Sequence, residues 1–223
     1  TWEYNPETNS WRQMDDFKGG ARYYALGFGI DNYGYVGTGY NDNYLKDFYR
    51  FDPTAAAGSQ WTIVNGFGGQ KRQGGTAFVI DGKAYVCGGQ NNNSDVSDFW
   101  CFDPSAATPW TQLRDIANTS DDDYDDDYTS IVRSYGVSFV IDGKAYLTLG
   151  STAGGSYYSN YWIYNPATDL WEGDDLTAFE GSTRIHAVCF STGTRGIVAT
   201  GGSGSSSYFD DTWELKPYEY EEE

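Results

Sequence analysis

Apolar residues in this chain come in short alternating runs, each closed by glycine or by a turn built on Asp or Asn. In the run that starts at Arg22, the larger side chains Arg22, Tyr24, Leu26 and Phe28 alternate with Ala25 and Gly27. The same register recurs in Arg72, Gly74, Thr76 and Phe78 (against Gly75 and Ala77), in Arg133, Tyr135, Val137 and Phe139 (against Gly136 and Ser138), and in Arg184, His186, Val188 and Phe190 (against Ala187). A period of two is that of a β-strand and puts each set on one side of its strand. Bulky sides that meet small sides satisfy close packing of one sheet on the next, so the phenylalanines are predicted core residues.

Each run passes through a tight turn into a second strand. The segment FGIDNYGY (28–35) leads to Gly37-Thr38-Gly39, and FVIDGKAY (78–85) leads to Cys87-Gly88-Gly89. The same eight residues return at 139–146 and lead to Thr148-Leu149-Gly150, and a more divergent copy from Phe190 ends at Thr200-Gly201-Gly202. Strand, Asp-Gly, strand is the pattern of a hairpin. A second motif follows each hairpin and also opens the chain: WEYNP (2–6), FYRFDP (48–53), FWCFDP (99–104), YWIYNP (161–166) and TWELKP (212–217). Five of the six prolines occupy this one position, which marks a strand end that turns outward. A further tryptophan follows four of them, at Trp11, Trp61, Trp110 and Trp171; with Trp2, Trp100, Trp162 and Trp213 these are all eight tryptophans. Their repeat placement favours structural roles over ligand stacking.

Four short strands per unit of roughly 50 residues is the arithmetic of a β-propeller blade. The chain resembles kelch repeats in the Gly-Gly after the second strand (Gly88-Gly89, Gly201-Gly202), the aromatic in that strand (Tyr85, Tyr146) and the tryptophan that follows the Asp/Asn-Pro turn. Thr38-Gly39 and Leu149-Gly150 depart from this pattern, with one glycine where the motif has two. The fold expected is an all-β kelch propeller with about four blades present: a partial blade at 1–17, full blades at 18–67, 68–117 and 118–179, and a partial blade at 180–223. Counted from the axis outward, strands one and two occur four times, strand three five times and strand four four times. Kelch propellers usually have six or seven blades, so the resemblance implies a segment of a larger ring. The N-terminus, TWEYNPET, has no start methionine, basic segment or apolar segment, the expectation for a processed form or a piece of a longer chain.

The composition agrees with this reading and narrows the function. Tyrosine, phenylalanine and tryptophan (20, 12 and 8 residues) with 28 glycines favour strands and tight turns over helices. A net charge of −18 leaves no basic surface to replace counterions on phosphates, which argues against nucleic acid. No stretch approaches the roughly 20 apolar residues of a membrane helix. Cys87, Cys101 and Cys189 lack CxxC spacing and fall in apolar runs, so they read as small buried hydrophobes, with Cys87 and Cys101 open to meeting across neighbouring strands.

Two features carry candidate chemistry. Arg22, Arg72, Arg133 and Arg184 begin the four innermost strands near one mouth of the central channel, with Tyr24, Tyr135 and His186 beside them. One reading is a ring of guanidinium forks for an anionic ligand. The competing reading is a structural clamp, each arginine paired with an acidic loop of its own or the next blade. The second feature is SDDDYDDDY (120–128), an insertion between blades in which Asp121, Asp123, Asp125 and Asp127 alternate. It is either a calcium site or a solvated acidic loop; Asp126 stands where an EF-hand loop needs glycine. No other cofactor is indicated. His186 is the only histidine, so the copper site of galactose oxidase, a kelch-containing enzyme, cannot be assembled here. The expected function is a non-catalytic binding or scaffold module that recognises a protein or glycan through propeller-face loops. An enzyme acting on an anionic sugar, like the bacterial sialic acid mutarotases, is the alternative. The glycine- and tyrosine-rich repeats look most like those of secreted or surface-anchored bacterial proteins, which implies an extracytoplasmic site and a place in a larger surface assembly.

Overall fold

Local turn chemistry accounts for most of the strands in the computed structural model of the protein, which describes residues 1–173 and 177–217. Asp81 and Gly82 (φ 49° and 73°), and Asp142 and Gly143 (φ 48° and 74°), both take positive φ, as the two central residues of a type I′ hairpin must. At the outer turns the residue before proline caps the chain. Asp52 Oδ1 accepts from Thr54 N (2.9 Å), Asp103 Oδ1 from Ser105 N (2.9 Å) and Asn165 Oδ1 from Ala167 N (3.0 Å). These are Asx turns, followed by the outermost strand.

The strands assemble into consecutive antiparallel sheets. Blade I is Leu26–Ile30, Tyr33–Gly37, Phe48–Phe51 and Trp61–Val64. Blade II is Thr76–Ile80, Lys83–Cys87, Trp100–Phe102 and Trp110–Gln112, and blade III is Val137–Ile141, Lys144–Thr148, Trp162–Asn165 and Leu170–Glu172. Blade IV has three strands, Val188–Ser191, Gly196–Ala199 and Thr212–Leu215, and residues 218–223 lie outside the described residues. A separate hairpin, Trp2–Asn5 with Ser10–Gln13, precedes blade I. The inner strands of successive blades pack side by side, so the fold is an all-β, four-blade propeller arrangement. Among the described residues no helix is long and apolar enough to cross a membrane.

The core lies between the blades, in three clusters. Phe28 and Tyr35 of blade I meet Ala84, Val86, Phe102 and Trp110 of blade II. Phe78 and Tyr85 meet Ala145, Leu147, Tyr164 and Trp171 of blade III, and Phe139 and Tyr146 meet Val198, Trp213 and Leu215 of blade IV. Within each donor blade the Phe and Tyr rings stack, with interplanar angles of 14°, 11° and 13°. Phe78 and Phe139 are 4% and 3% exposed, as expected of packing residues. Phe190 departs from that expectation: with no further blade packed on it among the described residues, it is 57% exposed, and Val188 is 58% exposed. Trp2 and Trp11, in the receiving positions of the first hairpin, are exposed as well.

The glycine stops are joints between blades. Gly39, Gly89 and Gly150 each donate their N–H to the carbonyl of the next blade's arginine, Arg72, Arg133 and Arg184, at 2.8–2.9 Å. Any β-carbon at Gly89 would lie 2.7 Å from the Gln73 carbonyl, so the position demands glycine. The residue before it tolerates a side chain, since Thr38, Leu149 and Thr200 adopt the left-handed conformation of Gly88 (φ 58°, 59° and 61° against 63°). Thr38-Gly39 and Leu149-Gly150 are therefore intact copies of the joint, and in blade IV its counterpart is Thr200-Gly201 rather than Gly201-Gly202.

The cysteines do not pair. Cys101 stands opposite Tyr85, two residues out of register with Cys87, and Cys87, Cys101 and Cys189 are all free. Burial pushes the Cys87 thiol up to about 12, in keeping with a small packed hydrophobe.

Candidate functional site

Strand alternation breaks down just ahead of each inner strand, and that break builds the site. Tyr24, Tyr135 and His186 have φ values of 55°, 58° and 58°, and Gly74, at the same position in blade II, has 63°. The left-handed turn sends the side chain two residues after the arginine toward the axis while the arginine turns into its own blade. The expectation that Arg22 and Tyr24, or Arg133 and Tyr135, share a strand side is thereby corrected, because the regular strand starts only at Leu26 or Val137.

The four arginines consequently do not form an open ring of donors. The guanidinium side chains of Arg72, Arg133 and Arg184 are fully enclosed, and that of Arg22 is almost so. Each donates through Nη1 to the carbonyl sixteen residues on: Thr38 (2.9 Å), Gly88 (3.1 Å), Leu149 (3.0 Å) and Thr200 (3.0 Å). Arg22 pairs with Asp47 (2.7 Å), Arg72 with Asp98 and Arg184 with Asp211, in each case one or two residues before the third strand of the same blade. Burial works against the Asp47 carboxylate, yet its hydrogen bond to Arg22 holds it below the ordinary carboxylate range. Hydrogen bonds from Arg184 and Trp213 hold Asp211 at about 2. Blade III differs. Asn160 replaces the aspartate, and Arg133 is held by the carbonyls of Ile131, Leu149 and Ser130, by Asn160 Oδ1 (3.1 Å) and by the face of Tyr158 (4.7 Å). Burial without a carboxylate lowers Arg133 to about 10.

The residues released toward the axis come together. The Tyr24 ring stacks on His186 (5.1 Å, 11°) and meets Tyr135 edge-on (5.0 Å, 67°), and Tyr135 lies 4.5 Å from His186. Blades I and IV are at opposite ends of the row, so contact between Tyr24 and His186 reaches across the mouth of the channel. A β-carbon at Gly74 would collide with the Tyr135 ring, so glycine in blade II makes room for tyrosine from blade III. Gln73 and Gln90 of blade II both donate to the Tyr135 hydroxyl, at 2.8 and 2.7 Å. Beyond Tyr24 the aromatic surface continues through Tyr23, Tyr40 and Tyr44. Tyr24 is 43% exposed and His186 is also exposed. Partial desolvation of its ring, packed against Tyr24 and Tyr135, lowers the His186 pKa, which favours the neutral imidazole.

Sequence reasoning missed Gln73, Gln90 and Tyr23. Their signal lies in comparing copies at the residue after the arginine, where Tyr23 bridges Tyr40, Gln73 bridges Gln90, Ser134 bridges Ser151 and Ile185 bridges Gly202. The backbone pairing is constant and the side chains vary.

The acidic insertion is not an extended alternating strand. A 3₁₀ turn at Asp123–Asp125 turns Asp125 inward, where its carboxylate accepts from Thr119 N, Ser120 N and Ser120 Oγ at 3.0 Å each. Burial opposes ionisation of Asp125, but these bonds keep its pKa below the ordinary value. Tyr128 anchors the far end in the core and accepts the Trp171 N–H through its hydroxyl (2.8 Å). Asp121, Asp123 and Asp127 stay exposed. They are not gathered with Asp125, and among the described residues no three acidic, His or Cys side chains converge as metal ligands.

Comparison with known proteins agrees with this architecture. The Kelch motif matches residues 71–113, most of blade II. The solved structure of YjhT superposes with a TM-score of 0.69 at 18% identity, covering 87% of this chain and 63% of that one, a likeness of fold. This chain thus spans less than two thirds of the YjhT chain. No curated protein matches it in sequence. A Kelch motif matched in blade II, set in a four-blade array with repeated Asx-Pro turns and glycine joints, supports a kelch-repeat β-propeller.

Proposed function

We propose that the protein is a non-catalytic recognition module that binds a protein or glycan partner at the channel mouth formed by Tyr24, Tyr135 and His186. The observation that carries this reading is the convergence of three ring side chains from blades I, III and IV, all on left-handed backbone and two of them exposed. Non-glycine residues in that conformation cost on the order of 1 kcal/mol or more each, and such strain concentrates at functional sites. The arginines two residues before them are consumed in holding the blades, which speaks against a mutarotase-like enzyme that uses them on an anionic sugar. The exposed Phe190 and Val188 support a further blade beside blade IV, within a larger and, by its type of repeat, extracytoplasmic assembly.

The test is binding of the protein and of a Tyr24→Ala/His186→Ala variant to an immobilised glycan panel and a peptide display library. Binding by the protein that falls about 10-fold or more in the variant, without loss of thermal stability, is the expected outcome. Equal binding by both would place recognition elsewhere.

A further inference from the structure

The chemistry facing the channel mouth is uncharged, in a protein whose net charge is −18. An anionic ligand is normally met by a guanidinium fork or an ammonium. Each of the four arginines nearest the mouth is enclosed and engaged: Arg22, Arg72 and Arg184 by a carboxylate and carbonyls, Arg133 by carbonyls and Asn160. What reaches the mouth instead are phenol hydroxyls, primary amides and an imidazole.

We propose that the ligand of this mouth is an uncharged, polyhydroxylated molecule, a neutral saccharide, rather than a carboxylated sugar or other anion; the inference rests on the binding reading above. Three observations carry it. The ring faces of Tyr24 and its neighbour Tyr23, both exposed, suit the C–H face of a pyranose, an apolar body with polar edges. The Tyr135 hydroxyl accepts two amide N–H groups and so retains its own proton to donate, while Gln73 and Gln90 each keep a second N–H and a carbonyl oxygen. That is an alternation of donors and acceptors matched to adjacent sugar hydroxyls. Finally, the protein's net charge of −18 repels an anion approaching the mouth. The lowered pKa of His186 keeps the imidazole neutral and agrees with this.

The experiment is a glycan array containing neutral hexose and N-acetylhexosamine oligomers alongside sialylated and uronic acid glycans. It is probed with the protein and with Tyr135→Phe and Gln73→Ala/Gln90→Ala variants whose melting temperatures are checked in parallel. The expected result is retention on neutral glycans, lowered about 5- to 10-fold by Tyr135→Phe, which keeps the ring and removes one hydroxyl, and at least as much by the double variant. Retention only on carboxylated glycans, still sensitive to these variants, overturns the neutral-ligand inference and leaves the binding site standing. Neutral binding that neither variant changes overturns both. Absence of all glycan binding overturns the saccharide assignment, and a peptide ligand that depends on Tyr24 and His186 would then preserve the module alone.

Discussion

Blades III and IV are neighbours with the same strand order, yet each lacks what the other has. Blade III buries the large face of its inner strands under blade IV but clamps Arg133 without a carboxylate. Blade IV gives Arg184 its partner Asp211 but leaves Phe190 open. The difference teaches that the repeated residues define positions, whereas burial and charge balance are set by what stands next to them. A phenylalanine in the packing register is core only where a blade receives it. A buried arginine can be held by carbonyls and an amide where an aspartate is missing, with its proton bound less tightly as the result.

The comparison is broken most directly by cutting the two phenylalanines. Phe139→Ala should lower unfolding free energy by about 3–5 kcal/mol, the usual cost of emptying a packed aromatic site. Phe190→Ala should change it by no more than about 0.5 kcal/mol, the range of surface substitutions. Urea denaturation of the two variants reads the contrast, and equal losses would show that Phe190 is packed in solution.

The clamps come next. Asp98→Asn gives blade II the arrangement of blade III and should cost about 1–3 kcal/mol, because it uncovers a fully buried charge. The reverse change, Asn160→Asp, should stabilise by about 1 kcal/mol. Ser130 can accommodate it, since its hydroxyl now accepts from Asn160 Nδ2 (2.7 Å) and can donate to a carboxylate instead. A destabilised Asn160→Asp protein would mean that the carbonyl cage of Arg133 already satisfies the cation in full.

Acid titration gives the next effect. Asp47 and Asp211 have folded-state pKa values below 3.8, Asp211 at about 2. The unfolded chain therefore takes up protons first, and the stability these groups supply is present above about pH 4 and lost progressively toward pH 2. Asp211→Asn should flatten the thermal stability profile in that window, while Asn160→Ala, in the blade without a clamp carboxylate, should leave its shape unchanged.

The smallest effect concerns His186. Its pKa lies below 6.5 because the Tyr24 and Tyr135 rings partly desolvate it, so the neutral form is favoured in the folded protein. Stability should slip slightly as pH falls through 6.5, and His186→Gln should remove that slope.

Much of the fold was legible in the sequence because its signals are local. Asp81-Gly82 and Asp142-Gly143 demand the hairpin they form, and Asp52, Asp103 and Asn165 cap turns two residues away. The candidate site was half legible. Tyr24, Tyr135 and His186 stand beside the arginines in every reading of the repeat, but a period of two carried past Leu26 puts both on one face. Nothing in a strand pattern announces a left-handed tyrosine. Gln73 and Gln90 escaped because amides in a polar loop look ordinary until Tyr135, from another blade, arrives between them.

By itself the sequence determined the propeller: its strand order, its hairpin and Asx-Pro turns, the aromatic packing positions and the glycine joints all rest on residues close along the chain. Only the tertiary structure decided the direction in which each arginine points, which phenylalanine is covered, and which side chains meet at the axis. Those outcomes depend on groups far apart in sequence, such as Arg184 with Asp211 or Tyr24 with His186, and they exist only once the sheets have closed around a common centre.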